Sequence, residues 1–168
     1  MSGNQPLPPT EASATILVVD DEPSVRTLCK DFLEGAGFTV LQAGGSSDAL
    51  RICTEHKGPI DLLLTDLILP PPGFQIASSS NPFPHVNGLE LAVRAATIRK
   101  SLHVILMSGN PDKDLASHGI KRGTLPFLAK PFEQARVIHL VQDVLAQPTS
   151  FMDITRQGKA ANDDDWFG

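Results

Sequence analysis

Two adjacent acids, Asp20-Asp21, a third acid, Asp66, a hydroxyl, Ser108, and an ammonium, Lys130, each come directly after a short apolar run. Three carboxylates brought close together repel, and the repulsion drives a proton onto one of them. A hard divalent cation relieves it. Mg2+ takes oxygen ligands from one or two carboxylates and keeps several waters. A site with such a cation, one carboxylate nucleophile, a lysine and a hydroxyl has the parts to accept a phosphoryl group, because carboxylates act as covalent nucleophiles in phosphoryl chemistry. The rest of such a reaction is in-line positioning and charge neutralisation.

The elements that must bring these residues together alternate regularly. "TILVVD" (15–20) is an apolar, β-branched run of the kind buried on both faces of a sheet. "FTVLQA" (38–43), "PIDLLLTD" (59–66), "HVILMS" (103–108) and "LPFLAK" (125–130) are four further strands. Between them lie helical patterns. After the first strand, Val25, Leu28, Cys29, Phe32 and Ala36 share one face, with Pro23 suited to the first turn. Ala49, Ile52 and Cys53 form the inner face of the second helix, and Leu89, Ala92, Val93 and Ala96 that of the third. Val137, Val141, Val144 and Leu145 do the same in the last. The segment 110–123 is only weakly periodic and is interrupted by Gly119 and Gly123, which predicts a short, loosely held fourth helix. Apolar strands separated by helices mean a parallel sheet covered on both faces. Ligands of such sheets sit beyond the carboxyl ends of the strands, where the five chemical residues lie.

Composition narrows the classes. The chain has 168 residues, 41% hydrophobic content and a formal net charge of −5. That fits one globular domain with a real core. It argues against binding to the phosphate backbone of nucleic acid. No apolar stretch approaches the ~18 residues of a membrane span, and no secretory signal is visible, so a cytoplasmic protein is expected. Cys29 and Cys53 sit inside apolar-periodic segments and read as reduced core thiols. His85, His103 and His118 show no metal-binding spacing.

"ILVVDDEPSVR", "DLLLTDLILP…NGLEL", "VILMSGN" and "FLAKPF" together resemble the motifs of the response-regulator receiver domain of two-component signalling. The match runs from about Thr15 to Ala146. It implies an α/β, flavodoxin-like (βα)5 fold with strand order 2-1-3-4-5. It implies that Asp66 is the phosphoacceptor, taking a phosphoryl group from a histidine kinase or phosphotransfer protein. Asp21 then matches the direct Mg2+ ligand, Asp20 a ligand acting largely through water, and the carbonyl of Ile68 a third ligand beside Asp66. Lys130 would pair with a phosphoryl oxygen, and the Lys130-Pro131 peptide matches one that is often cis in the family. Ser108 matches the switch hydroxyl and Phe127 the switch aromatic. The face of the fourth helix, fifth strand and fifth helix would then rearrange for a downstream protein target. A monomer or a phosphorylation-dependent dimer is expected. The chemistry would be self-directed, so the chain is not expected to be an enzyme in the ordinary sense.

Three other readings meet specific residues. A receiver-like interaction module working without phosphorylation would not need the complete acidic set with Ser108 and Lys130. An aspartyl-phosphate phosphatase or transferase typically has a second carboxylate two residues after the nucleophile, where this chain has Ile68. A nucleotide-binding domain needs a phosphate-cradling glycine motif, and none is present.

One feature departs from the family pattern. The separation of Asp66 from Ser108 is longer than usual, and the excess is an insertion at 71–86. Pro71, Pro72, Pro82 and Pro84 stiffen it, while Phe74, Ile76, Phe83 and Val86 make it too apolar for a purely solvated linker. An ordered, lid-like or partner-contacting loop is weighed against disorder around Ser78-Ser79-Ser80. Residues 1–14 read as a disordered tail. Residues 147–168 read as an acidic tail ending in Trp166-Phe167, either disordered or a docking motif. A stand-alone receiver, or one cut from a larger protein, fits this layout.

Overall fold

The computed structural model describes residues 13–70, 83, 85–121 and 123–155. Five strands form one parallel sheet: β1 (Thr15–Val19), β2 (Thr39–Ala43), β3 (Leu62–Asp66), β4 (His103–Ser108) and β5 (Phe127–Ala129), in the order β2-β1-β3-β4-β5. The helices α1 (Pro23–Gly35), α2 (Ser46–Glu55), α3 (Gly88–Ile98), α4 (Pro111–Ser117) and α5 (Gln134–Ala146) alternate with them. This is the flavodoxin-like topology expected from the sequence. Parallel pairing follows from the crossovers: each strand must return to the same end of the sheet through a helix.

The continuous apolar runs are explained by two cores. Leu17, Val19, Leu63, Val104 and Leu106 point to one side, where α2 and α3 pack with Leu50, Leu91 and Ala95. Ile16, Val18, Leu62, Leu64, Ile105 and Met107 point to the other, against α1 and α5 through Cys29, Leu33, Val137 and Val141. In the three central strands β1, β3 and β4, successive residues therefore serve opposite cores and no exposed position breaks the run.

The helix faces differ from expectation at their edges. Leu28 is 41% and Val93 43% exposed, while Leu33 and Leu91 are buried. A core-facing helix stripe is a little over 100° wide, and a residue one position off its centre falls outside it.

Past the boundary at 146 expected from the sequence, the chain stays packed through residue 155. The N–H of Phe151 donates to the carbonyl of Leu102 at 3.0 Å, and the Phe151 ring is buried in the α2–α3 core. The Ser150 side chain and the Asp153 carboxylate cap the turn that follows. A serine followed three residues later by an acid is a helix-start signal legible in the sequence.

Among the described residues no helix is long and apolar enough to cross a membrane. Residues 1–12, most of the insertion including Phe74, Ile76 and Ser78–Ser80, and the Trp166-Phe167 end lie outside the described residues.

Candidate functional site

The carboxyl ends of β1, β3, β4 and β5 converge. Asp20 follows β1 and is fully buried, while its neighbour Asp21 is exposed. One oxygen of Asp20, Oδ1, accepts the N–H of Glu22 at 3.0 Å, and the other, Oδ2, accepts Lys130 Nζ at 2.6 Å. Asp66 closes β3 and is 8% exposed. Its Oδ1 accepts the N–H of Ile68 at 2.8 Å and its Oδ2 accepts Lys130 Nζ at 2.5 Å. Lys130 thus bridges the two buried acids. Its own backbone N–H donates to the carbonyl of Ser108 at 2.8 Å, and the Lys130-Pro131 peptide is cis.

The charges inside this cluster perturb one another. Burial pushes the Asp66 carboxyl above its ordinary value, and the Asp20 charge adds to that; hydrogen bonds from Lys130 and from the Ile68 N–H offset it only in part. Burial alone would lower the Lys130 ammonium, but its hydrogen bonds to Asp20 and Asp66 outweigh burial and hold it above the usual lysine range. Lys130 is therefore a firmly charged point between two acids.

One carboxylate oxygen from each of Asp20, Asp21 and Asp66 lies within 4.8 Å of the other two. Three carboxylates and one ammonium carry a formal surplus of two negative charges, the amount a divalent cation cancels. The donors are all hard oxygens, one of them solvent-facing, which suits Mg2+ and does not suit a thiophilic metal. The residues present fit such an ion.

A family model described as "Response regulator receiver domain" matches residues 16–78. A crystal structure of a response regulator receiver domain protein from Clostridium thermocellum superposes with a TM-score of 0.61 at 29% identity, covering 79% of this chain and 94% of that one. The chain carries a response-regulator receiver domain. A response regulator protein of Thermotoga maritima, TrrA, solved in complex with Mg2+ and beryllium fluoride, superposes with a TM-score of 0.57 at 26% identity over 78% of this chain and 98% of that one. Among curated proteins, the DNA-binding transcriptional regulator NtrC of Azospirillum brasilense is 30% identical over 138 residues, 82% of this chain. The receiver spans only 25% of that regulator's length.

The remaining predicted residues lie at the end of β4, on β5 and just after β3. Ser108 is fully buried at the end of β4. Its hydroxyl donates to the carboxylate of Asp114 on α4 and accepts the N–H of Asn110 at 2.9 Å. Phe127 is half-buried on β5, packed against the α2–α3 core and lining a groove with Leu115. Ile68 is 44% exposed beside Asp66.

Cys29 lies behind the site. Burial pushes its thiol up to about 12, reinforced by the nearby Asp20 charge; burial likewise pushes Cys53 up to about 11. Both are free, inert core thiols.

Sequence reasoning missed three contributors. Arg26 reaches back from α1 and donates to the Asp20 carbonyl at 2.6 Å, fixing the turn that carries both acids. Asp114 holds Ser108. Gly88 opens α3 directly against the end of β3: a Cβ there would lie 2.0 Å from the carbonyl oxygen of Asp66. Only Gly88 had a visible signal, the Asn-Gly pair that starts the helix.

Proposed function

We propose that this receiver accepts a phosphoryl group on Asp66 from a phosphohistidine of a kinase or phosphotransfer protein, with Mg2+ at Asp20, Asp21, Asp66 and the Ile68 carbonyl. The observation that carries this is the Lys130 ammonium bound to the two buried acids, with a third acid beside them. In the transfer, the P–N bond of the phosphohistidine breaks and an O–P bond forms on an Asp66 carboxylate oxygen, leaving an acyl phosphate. The electron pair of the broken bond stays on the imidazole. The Ile68 N–H fixes one Asp66 oxygen and so orients the carboxylate. Lys130 neutralises charge developing on the transferred group. When bound, Mg2+ supplies the remaining charge neutralisation between acids and phosphoryl oxygens.

The output is a partner exchange. The face of α4, β5 and α5 carries a groove of about 550 Å³ lined by Leu115, Ile120, Phe127, Phe132, Lys121 and Arg136. Its lining includes Ala129, the sheet partner of Ser108, so a shift of that hydroxyl toward a phosphoryl group changes the surface a downstream protein meets. A cytoplasmic location fits a histidine-kinase donor.

Incubation with acetyl phosphate and Mg2+, followed by intact-mass measurement, tests the reading. A gain of one phosphoryl group is expected, lost on prior chelation of the metal and strongly slowed in Lys130→Ala. No gain with any small donor, or with a phosphorylated partner, would mean that the fold serves as a binding module alone.

A further inference from the structure

We propose that Asp114 is a positioning residue that holds the Ser108 hydroxyl away from the phosphoacceptor, so that α4 and a phosphoryl group on Asp66 compete for one proton. This rests on the reading of Asp66 as phosphoacceptor and adds a residue that resists activation. Ser108 is fully buried, and its hydroxyl has one proton to donate. That proton is donated to the Asp114 carboxylate. The oxygen already accepts the Asn110 N–H, so what remains for the Asp66 side is acceptor density. A phosphoryl group presents only acceptor oxygens, and two acceptors facing each other repel. Ser108 can bond the phosphoryl group only by leaving Asp114.

The consequence reaches α4 because Asp114 is tied to that helix. Its N–H donates to the Asn110 carbonyl at 2.9 Å, and its own carbonyl accepts the N–H of His118 at 3.2 Å and the Ser117 hydroxyl at 3.0 Å. The helix has seven residues and a single buried one, Leu115. Losing the Ser108–Asp114 bond therefore removes a large share of what seats its first turn. The coupling is reciprocal: whatever frees Ser108 from Asp114 must tighten binding of a phosphoryl-like ligand by the same factor. A purely structural role for Asp114 predicts no such tightening.

The test is the affinity of the full chain for beryllium fluoride in saturating Mg2+, followed by backbone amide resonances. Asp114→Ala is expected to bind it about fivefold more tightly or better, the lower end of couplings between sites. In a Ser108→Ala background the same substitution is expected to change nothing. Asp114→Asn keeps the side-chain shape and weakens the acceptor, so tightening is expected there too even if alanine disturbs α4. Unchanged or weaker affinity in both variants would overturn the proposal, as would tightening that persists without Ser108. Failure of the wild type itself to bind would overturn the phosphoacceptor reading and this one together; normal wild-type binding with unresponsive variants overturns this one alone.

Discussion

At the scale of residues, the site is a balance between burial and pairing. Asp66 is held above its ordinary carboxyl value because burial outweighs the help of Lys130 and the Ile68 N–H. An acid with a raised folded-state value binds its proton more tightly folded than unfolded. Stability is then fully present below the unfolded value, about 3.9 for Asp, and is lost as pH rises through the folded one. At neutral pH and without metal, ionised Asp66 therefore destabilises the domain. Asp66→Asn is expected to raise the melting temperature at pH 7 by a few degrees, corresponding to about 1 kcal/mol for a domain this size. The gain should shrink as pH falls through the acid range. Thermal melts in chelator across pH check this, and a gain that grows toward low pH would contradict it. Asp20, Asp21, Asp66, Ser108 and Lys130 were legible in the sequence because each ends an apolar run. Asp114 and Arg26 were not: their contacts depend on where α4 and α1 lie against the strand ends, which periodicity does not specify.

At the scale of elements, two connections matter most. The third helix begins against the backbone that follows β3, with the Gly88 N–H on the Leu67 carbonyl at 3.0 Å. A methyl group at position 88 would meet main chain rather than a flexible side chain. Gly88→Ala is expected to cost on the order of 3 kcal/mol of unfolding free energy, read by urea denaturation, and to slow phosphoryl acceptance by displacing Asp66. The fourth helix is the opposite case. Its one buried residue contrasts with the three of α5, Val137, Val141 and Val144. Amide exchange in α4 is expected to be orders of magnitude faster than in the centre of α5. Equal protection would contradict a weakly seated switch helix. The weak apolar periodicity of 110–123 already carried that information, whereas the edges of α1 and α3 were misread because Leu28 and Val93 are apolar yet lie off the buried stripe.

At the scale of the whole molecule, the sheet separates two cores, and additions to the receiver pattern attach to one of them. The described end of the insertion is tied down. Phe83 and Val86 pack against the α2–α3 core, the Val86 N–H donates to Ser46 Oγ at 2.8 Å, and His85 Nδ1 lies 3.2 Å from the same oxygen. These contacts return residues 85–87 to the helix start beside Asp66; Phe74, Ile76 and Ser78–Ser80 lie outside the described residues. The segment after α5 reaches that core too, through Phe151. Phe151→Ala is expected to cost roughly 3–5 kcal/mol, measured by denaturation, because the ring is buried in the α2–α3 core. A loss below 1 kcal/mol would make residues 147–155 a mere appendage. The parallel sheet and the convergence of acids followed from alternation and from the rule that sites lie beyond strand ends, while the strand order followed from the resemblance to the receiver family. The packing of 147–155 did not, because a single aromatic after a polar stretch has no periodicity to reveal it.

The central claim, that Asp66 carries the phosphoryl group, is tested most directly by locating it. The chain is incubated with acetyl phosphate and Mg2+, then treated with borohydride, which reduces an acyl phosphate to an alcohol. Peptide mass mapping then finds the reduced residue. Homoserine at position 66, and unreduced acids at 20 and 21, is the result predicted here. Reduction at another carboxylate, or at none despite an active donor, would contradict it.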